Sequence, residues 1–232
     1  MGNAIVQNLW QFRMLIGYPS ATADGTDCFQ ARFWTFDAKP DGTMNPWPDL
    51  FILERFFELS LCDAIVAEMK TAAGAAAIVY GSTTSGTIDE TVRRTLRVKP
   101  AIETVALVTQ KLLGCKEQVE KHFEVRLKEC EDPQFLRYRE GDFFVAHQDG
   151  NTGLTRLETE QRLISTVIFL GLESESPGAG DYCGGSLVFS NLRERFRVSA
   201  DPGTLVAFRS ETTHEITPVM KGERYSIASW YR

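Results

Sequence analysis

The sequence predicts an α+β protein with a mainly β core, in which an antiparallel barrel or sandwich is packed on one side by helices. Helical periodicity is confined to the first half, whereas the second half breaks into about eight short apolar segments separated by Gly, Pro, Asn, Asp and Ser. Strands at this spacing, after a helical half, are typical of antiparallel sandwiches and barrels. The 232 residues, 43% of them apolar, suit a single core. The pattern alone fits both a jelly roll and an immunoglobulin-like topology.

The first half begins with an N-terminal extension over residues 1–48, where aromatic residues mix with Gly, Asp, Thr and Pro and one hairpin is predicted. A strand is predicted at Leu50–Leu53. Ser60 stands three residues before Asp63, which resembles a capping box. A helix is therefore predicted over residues 61–73.

A second helix is predicted to begin at Pro100, which suits a first helical position, and to end at Gly114. We expect residues 49–130 to form a helical buttress and residues 131–232 to form the barrel, as one domain. The strands are predicted at residues 135–138, 143–146, 163–170, 186–189, 196–198, 204–208, 215–219 and 225–231.

Composition excludes several classes of protein. A formal net charge of −6, without a long basic run, argues against nucleic-acid binding. The longest apolar stretch, residues 72–80, is far shorter than a membrane span of roughly 18 residues, and no secretory signal is recognisable. Five cysteines without a CxxC pair indicate reduced thiols without a functional role in a cytoplasmic protein.

Two of the three histidines stand in positions that suit a metal site. His147 and Asp149 are two residues apart on a predicted strand, so their side chains point to the same side. If His214 arrives from a facing strand, two imidazoles and one carboxylate occupy one face of an octahedral metal, as in non-haem Fe(II) oxygenases. Zinc hydrolases also use two His and one carboxylate, so the ligand types alone leave the metal open.

Arg224 follows His214 by ten residues across a predicted turn, and we expect it on the neighbouring antiparallel strand, pointing into the same cavity. A buried guanidinium needs an anionic partner, which a dicarboxylic acid bound to the metal would supply.

Two further features are interpreted as structural. His122 lies in a charged helical segment and is predicted to be a solvated surface residue. Gly184–Gly185 precedes a strand and not a helix, so we interpret it as a close backbone approach at the barrel mouth and not as a phosphate loop.

Four sequence blocks together resemble the iron(II)/2-oxoglutarate-dependent dioxygenases, in their prolyl 4-hydroxylase-like branch. The resemblance covers roughly residues 135–231, with a fainter match at residues 49–70. The blocks occur in the family's order and spacing, at residues 136–149, 184–189, 202–208 and 214–230.

The resemblance implies a double-stranded β-helix, which is a jelly-roll barrel, buttressed by N-terminal helices. It implies that His147, Asp149 and His214 bind Fe(II) as the catalytic site. It also implies that Arg224 holds the distal carboxylate of 2-oxoglutarate.

The resemblance further implies that Tyr138 lines the cosubstrate pocket and that Ser226 assists there. One departure concerns Phe169, which stands where some prolyl hydroxylases place a tyrosine that contacts 2-oxoglutarate. Because phenylalanine cannot donate a hydrogen bond, the donor is expected to be Tyr138, Thr166 or water.

By resemblance, the activity is hydroxylation of an unactivated C–H with succinate and CO2 as coproducts, using Fe(II), 2-oxoglutarate and O2, with ascorbate as an additional candidate. Partners would be a peptide, with peptidyl proline expected first, or a small molecule such as a free amino acid or natural product. Desaturation uses the same ligands. The alternative is a non-oxygenase jelly-roll protein, either a metal-dependent hydrolase or isomerase or a binding module with a vestigial metal site. Arg224 distinguishes the oxygenase from this alternative, because the alternative classes do not require a buried arginine that faces the metal.

Overall fold

The computed structural model describes residues 48–77, 88–150, 161–191 and 195–232, together with the backbone of a strand at Arg32–Trp34. The remainder of the predicted N-terminal extension, including its hairpin, lies outside the described residues. Within the described part of the chain, no helix combines the length and the apolar character needed to cross a membrane.

The described residues form two helices and fifteen strands. The helices are α1 (Leu59–Thr71) and α2 (Ile102–Phe123). The strands are β1 (Arg32–Trp34), β2 (Leu50–Leu53), β3 (Gly74–Ala76), β4 (Arg93–Arg94), β5 (Leu96–Val98), β6 (Gln134–Tyr138), β7 (Phe143–His147), β8 (Ile164–Phe169), β9 (Tyr182–Gly184), β10 (Leu187–Ser190), β11 (Arg195–Val198), β12 (Leu205–Arg209), β13 (His214–Ile216), β14 (Val219–Gly222) and β15 (Arg224–Tyr231).

The strands of the described residues form a major sheet, a minor sheet and one separate pair, all antiparallel. The major sheet has the order β1-β2-β12-β8-β15-β6-β5-β3, the minor sheet has the order β11-β10-β13-β7-β4, and β14 pairs with β9. Interior side chains of the two main sheets pack in a shared cluster. This arrangement confirms the predicted jelly-roll core and most of the predicted strand positions, including Leu50–Leu53. The single strand predicted at residues 215–219 was wrong, because the chain there divides into β13 and β14, which pair with different strands.

The two faces of the major sheet have different neighbours, as alternation along β8 shows. Ile164 and Ile168 join the cluster that also contains buried residues of α1 and α2. Val167 and Phe169 point the other way and pack against residues of the minor sheet. Because successive strand side chains point to opposite faces, a sheet covered on both sides is apolar throughout, and every residue of β8 is buried.

The segment expected as a helical buttress, residues 49–130, also supplies strands. It contributes β2, β3 and β5 to the major sheet and β4 to the minor sheet. The helices therefore pack against a sheet that their own segment helps to build.

Helix α2 does not end at Gly114, so this prediction was wrong. Gly114 is exposed, and the buried stripe continues beyond it through Cys115, Val119 and Phe123. A single helical Gly costs only about 1 kcal/mol relative to Ala, which burial of the following side chains offsets. The helix ends at Phe123, and its C-cap, Glu124, has a left-handed backbone with φ 53°.

The predicted capping devices also differ from the structure. The N-cap of α1 is Glu58, without a side-chain capping hydrogen bond, so Ser60 and Asp63 form no capping box. Helix α2 begins after Ala101, whose N–H donates to Glu68 of α1, and the second carboxylate oxygen of Glu68 accepts from Thr104 Oγ1 at 2.7 Å. The start of one helix is thus capped by the other.

His122 is not a solvated residue, because its side chain is only 3% exposed. Its Nε2 lies 2.9 Å from Asp49 Oδ1, and its ring packs edge-on against Phe51 and Phe123. The charged sequence around His122 gave no indication of partners more than 70 residues away.

Candidate active site

A cavity of about 380 Å³ extends between the two main sheets. It is lined by side chains from both, so it is a feature of barrel closure and not of a single loop. The predicted site residues line it together: His147, Asp149, His214, Arg224, Tyr138 and Ser226.

The three predicted metal ligands converge at one end of two neighbouring strands. His147 ends β7 and lies opposite His214, the first residue of β13, while Asp149 follows β7 by two residues. Each imidazole Nε2 lies 3.5 Å from a different oxygen of the Asp149 carboxylate. One ligand atom from each residue lies within 4.8 Å of the others, which suits a single shared ion.

Backbone contacts indicate which nitrogen of each imidazole is available. His147 Nδ1 lies 2.8 Å from the carbonyl oxygen of Val145, and His214 Nδ1 lies 3.0 Å from that of Thr212. A carbonyl only accepts, so both Nδ1 atoms carry a proton, and in the neutral imidazoles both Nε2 atoms present a lone pair toward Asp149. Two lone pairs facing a carboxylate repel unless a cation lies between them. The donor set therefore fits a divalent metal.

Electrostatics keep His214 and Asp149 in the protonation states that bind metals. Burial, followed by the charge of His147, lowers the pKa of His214 to about 4, so its imidazole is neutral near pH 7. Burial acts to raise the pKa of Asp149, but the positive charges that His214 and His147 carry in their protonated forms outweigh it and hold the pKa well below its usual range. Asp149 is therefore a carboxylate.

Aromatic contacts fix the orientation of both imidazoles. Phe144 stacks on His147, with ring centroids 3.5 Å apart and planes inclined by 18°. Phe208 packs edge-on against His214 at 4.7 Å. The rings are thus oriented from both sides, by a carbonyl at Nδ1 and by an aromatic face or edge.

Arg224 reaches the cavity from the opposite sheet. It begins β15 in the major sheet, whereas His214 is in the minor sheet. The prediction that the two residues lie on neighbouring strands was wrong, because the intervening β14 leaves the main sheets and pairs with β9. The expected common cavity is nevertheless present.

The guanidinium of Arg224 is buried, with the residue 1% exposed. Nη1 donates to Ser226 Oγ at 2.7 Å, whereas Nε and Nη2 are buried and have no hydrogen-bond partner in the described part of the chain. Its Cζ lies 5.2 Å from the ring centroid of Tyr138 and 5.6 Å from that of Phe169. Two unsatisfied donors on a buried cation are the pattern expected of a carboxylate-binding site.

The structure reduces the number of side chains beside Arg224 that could donate a hydrogen bond to 2-oxoglutarate. Thr166 Oγ1 donates to the carbonyl oxygen of Ser229 at 2.9 Å, so its proton is already used. Tyr138 lies opposite Arg224 in the strand register and lines the cavity. Sequence reasoning missed Tyr182. Burial raises the pKa of this phenol and the charge of nearby Arg224 opposes the rise, so Tyr182 lies close to the guanidinium.

The close approach predicted for Gly184–Gly185 is confirmed. Gly185 has φ +61°, and a Cβ there would lie 2.9 Å from Val219 Cγ2 and 3.0 Å from Arg224 Cδ. Only glycine permits both this backbone conformation and this proximity without strain. The pair therefore leaves room for the Arg224 side chain.

The chain is similar in sequence to known hydroxylases. Residues 133–232 match the family model described as the 2OG-Fe(II) oxygenase superfamily. A PKHD-type hydroxylase of Phenylobacterium zucineum is 28% identical over 176 residues, covering 73% of this chain and 74% of that relative. A PKHD-type hydroxylase of Paracoccus denitrificans is 35% identical over 101 residues, covering 42% of this chain and 41% of that relative.

Solved structures share the fold. A prolyl-4-hydroxylase of Pseudomonas putida superposes with a TM-score of 0.54 at 23% identity, covering 79% of this chain and 91% of that one. A prolyl hydroxylase of Trichoplax adhaerens, in complex with a hypoxia inducible factor oxygen degradation domain peptide fragment, gives a TM-score of 0.59 at 15% identity, covering 78% and 82%.

Fold and sequence matches together define a class of iron- and 2-oxoglutarate-dependent oxidoreductases. Residues 133–232 match the 2OG-Fe(II) oxygenase superfamily, and the chain resembles PKHD-type hydroxylases in sequence and prolyl hydroxylases in fold. It is by class a 2-oxoglutarate-dependent dioxygenase.

Proposed function

We propose that this protein hydroxylates an unactivated C–H bond of a prolyl-type residue in a peptide, with succinate and CO2 as coproducts. Fe(II) would be held by His147, Asp149 and His214, and 2-oxoglutarate by Arg224. One observation carries the proposal. A single cavity joins three convergent metal ligands to a buried guanidinium, two of whose donors have no hydrogen-bond partner among the described residues. A zinc hydrolase has a use for the first feature and none for the second.

The ligand set defines what the chain contributes to the chemistry. Bound iron and cosubstrate supply the activation of O2, and 2-oxoglutarate is converted to succinate and CO2. His147, Asp149 and His214 would hold one face of an octahedral ion, which would leave positions for a chelating 2-oxo acid and for O2. The cavity walls include the apolar side chains of Leu136, Leu187 and Ile216, which would help to keep water from the reacting atoms.

Three side chains around the guanidinium have separable roles in this proposal. Arg224 would donate from Nε and Nη2 to the distal carboxylate of the cosubstrate. Ser226 accepts from Nη1 and so fixes the plane of the fork. Tyr138, on the neighbouring strand β6 of the same sheet, would donate a hydrogen bond from its phenol to the same carboxylate.

The substrate assignment rests on relatives and on size. The Trichoplax adhaerens structure is a prolyl hydroxylase with a bound peptide fragment. The cavity of about 380 Å³ is at the small end of ligand sites and must hold the cosubstrate as well. Such a space suits one small ring presented by a peptide, or a free amino acid, better than a large natural product.

The test begins without oxygen. Protein given Fe(II) and 2-oxoglutarate should develop a visible charge-transfer band, and admitting air should then release succinate slowly even without substrate. A zinc hydrolase or a vestigial binding module would show neither the band nor iron-dependent succinate.

Substrate identity is tested by mass spectrometry, with peptide, amino-acid and small-molecule pools screened for a gain of one oxygen, with and without ascorbate. Loss of two hydrogens in place of that gain would indicate desaturation. A proline-containing peptide and its alanine counterpart form a matched pair. Equal oxygen gain on both would contradict the prolyl assignment.

A further inference from the structure

The carboxylate of Asp149 has a partner that the ligand set itself does not require. Ser165 Oγ lies 2.8 Å from Asp149 Oδ2, and Ser165 is 1% exposed. A carboxylate is acceptor-only, so the serine hydroxyl donates. Oδ1 receives no such bond from Ser165, so the two carboxylate oxygens are not equivalent.

A second buried serine fixes the direction of the first hydroxyl. Ser210 Oγ lies 3.0 Å from Ser165 Oγ, and Ser210 is fully buried. The single proton of Ser165 is given to Asp149, so in this pair Ser210 donates and Ser165 accepts. The hydrogen bonds therefore run in one direction, from Ser210 through Ser165 to the carboxylate.

Ser210 also holds the backbone of the ligand turn. Its carbonyl oxygen accepts from the N–H groups of Asp149 and Gly150, at 2.9 and 3.1 Å. Its own N–H donates to the carbonyl oxygen of Leu163, the residue before β8. Ser165 is on β8 and Ser210 follows β12, and these two strands are paired in the major sheet. The major sheet thus orients a ligand that follows a minor-sheet strand.

We propose that Ser165 is a positioning residue for the metal, which leaves Asp149 Oδ1 as the ligand oxygen by engaging Oδ2, with Ser210 orienting the serine hydroxyl. The inference rests on the proposed function, since it takes Asp149 as an Fe(II) ligand. A carboxylate held by a directional donor is already oriented when the ion arrives. Without the Ser165 hydroxyl, the Asp149 carboxylate would have to become ordered as the metal binds, and this ordering would lower the metal affinity.

The test measures Fe(II) binding directly, by anaerobic titration of the full-length protein without cosubstrate. Ser165→Ala should raise the dissociation constant for Fe(II) about 10- to 100-fold, the usual effect of removing a partner of a metal ligand. Ser210→Ala should raise it less, because the Ser165 hydroxyl remains. Ser165→Thr retains the hydroxyl and should restore most of the affinity.

Ser229→Ala is the matched control. Ser229 is also 1% exposed and its hydroxyl donates to a backbone carbonyl, that of Glu131, away from the ligands. It should lose stability much as Ser165→Ala does, without any change in Fe(II) affinity. At saturating Fe(II), succinate formation by Ser165→Ala should approach the wild-type rate.

Wild-type Fe(II) affinity in Ser165→Ala, with or without loss of stability, would overturn the inference and leave Ser165 as a structural residue only. An equal rise in Ser229→Ala would also overturn it, because the effect would then be one of stability. Absence of Fe(II) binding and succinate in the wild type would instead refute the proposed function.

Discussion

Replacing Arg224 by methionine should have opposite effects on cosubstrate binding and on folding. The methionine retains an apolar stem between the rings of Tyr138 and Phe169 but removes the charge and the donors. In the free protein, Nε and Nη2 of Arg224 are buried and find no hydrogen-bond partner in the ranges that the structure describes, so the folded state already includes the free-energy cost of their desolvation. Removing them should leave the free energy of unfolding unchanged or higher.

Cosubstrate binding should weaken strongly in the same variant. Truncating one partner of a buried, hydrogen-bonded charge pair costs about 2 to 5 kcal/mol. At about 1.4 kcal/mol per tenfold, this corresponds to a rise of roughly 30-fold to several thousand-fold in the dissociation constant for 2-oxoglutarate. Arg224→Lys keeps the charge but loses the planar fork, and its loss should be smaller but substantial.

The assay is anaerobic calorimetric titration of the Fe(II)-loaded protein with 2-oxoglutarate, alongside urea denaturation of the metal-free protein. Arg137→Met is the matched control. Arg137 is on the neighbouring strand β6, but its side chain pairs with Glu223 and does not line the cavity. Unchanged 2-oxoglutarate affinity in Arg224→Met, or an equal loss in Arg137→Met, would refute the assignment of Arg224.

Three further predictions follow from the same geometry. Alanine in place of His147 or His214 should abolish iron-dependent succinate formation. The circular dichroism spectrum should stay unchanged, because side-chain packing and not the metal holds the strands together. Equal succinate rates in wild type and His214→Ala would place the third ligand elsewhere. Gly185→Ala should lower the free energy of unfolding in urea by about 1 to 3 kcal/mol and raise the concentration of 2-oxoglutarate required. The reason is that residue 185 has φ +61° and that the new Cβ would lie 3.0 Å from Arg224 Cδ. Unaltered values for both would contradict the predicted clash. Burial raises the pKa of the Cys62 thiol from 9.0 to about 11, so the unfolded chain loses this proton first and the free energy of unfolding should fall as pH rises through that window. In Cys62→Ala the free energy of unfolding should fall less steeply with pH. Identical slopes would show that other groups cause the loss.

The features that short-range patterns could predict are those whose partners are close in sequence. The strand at Leu50–Leu53 was predicted from four consecutive apolar residues. The placement of His147 and Asp149 near a common point follows from a two-residue spacing. Their meeting with His214 depends on the pairing of β7 with β13, which only the resemblance to a known family indicated beforehand.

The features that were missed depend on contacts distant in sequence. Gly114 was predicted to end α2 because the burial of Cys115 against Tyr231 cannot be recognised from the helix itself. His122 was assigned to solvent because Asp49 and Phe51 come from another element. Local patterns also gave no indication that β14 would pair with β9.

Arg224 and the proposed metal ligands belong to opposite sheets, so the distance between them is a property of barrel closure. Two ligands, His147 and His214, are fixed in the minor sheet, and Arg224 is fixed in the major sheet. A 2-oxo diacid that chelates a metal at one end and pairs with Arg224 at the other must span a fixed gap. Close packing between the sheets holds that gap, since protein interiors resist compression and expansion. Asp149 connects the two sheets, because it follows the minor-sheet strand β7 but is held from the major sheet. Ser165 of β8 donates to its Oδ2, and the carbonyl oxygen of Ser210, which follows β12, accepts from its N–H. The helices contribute from outside, by packing against the face of the major sheet that is turned away from the cavity.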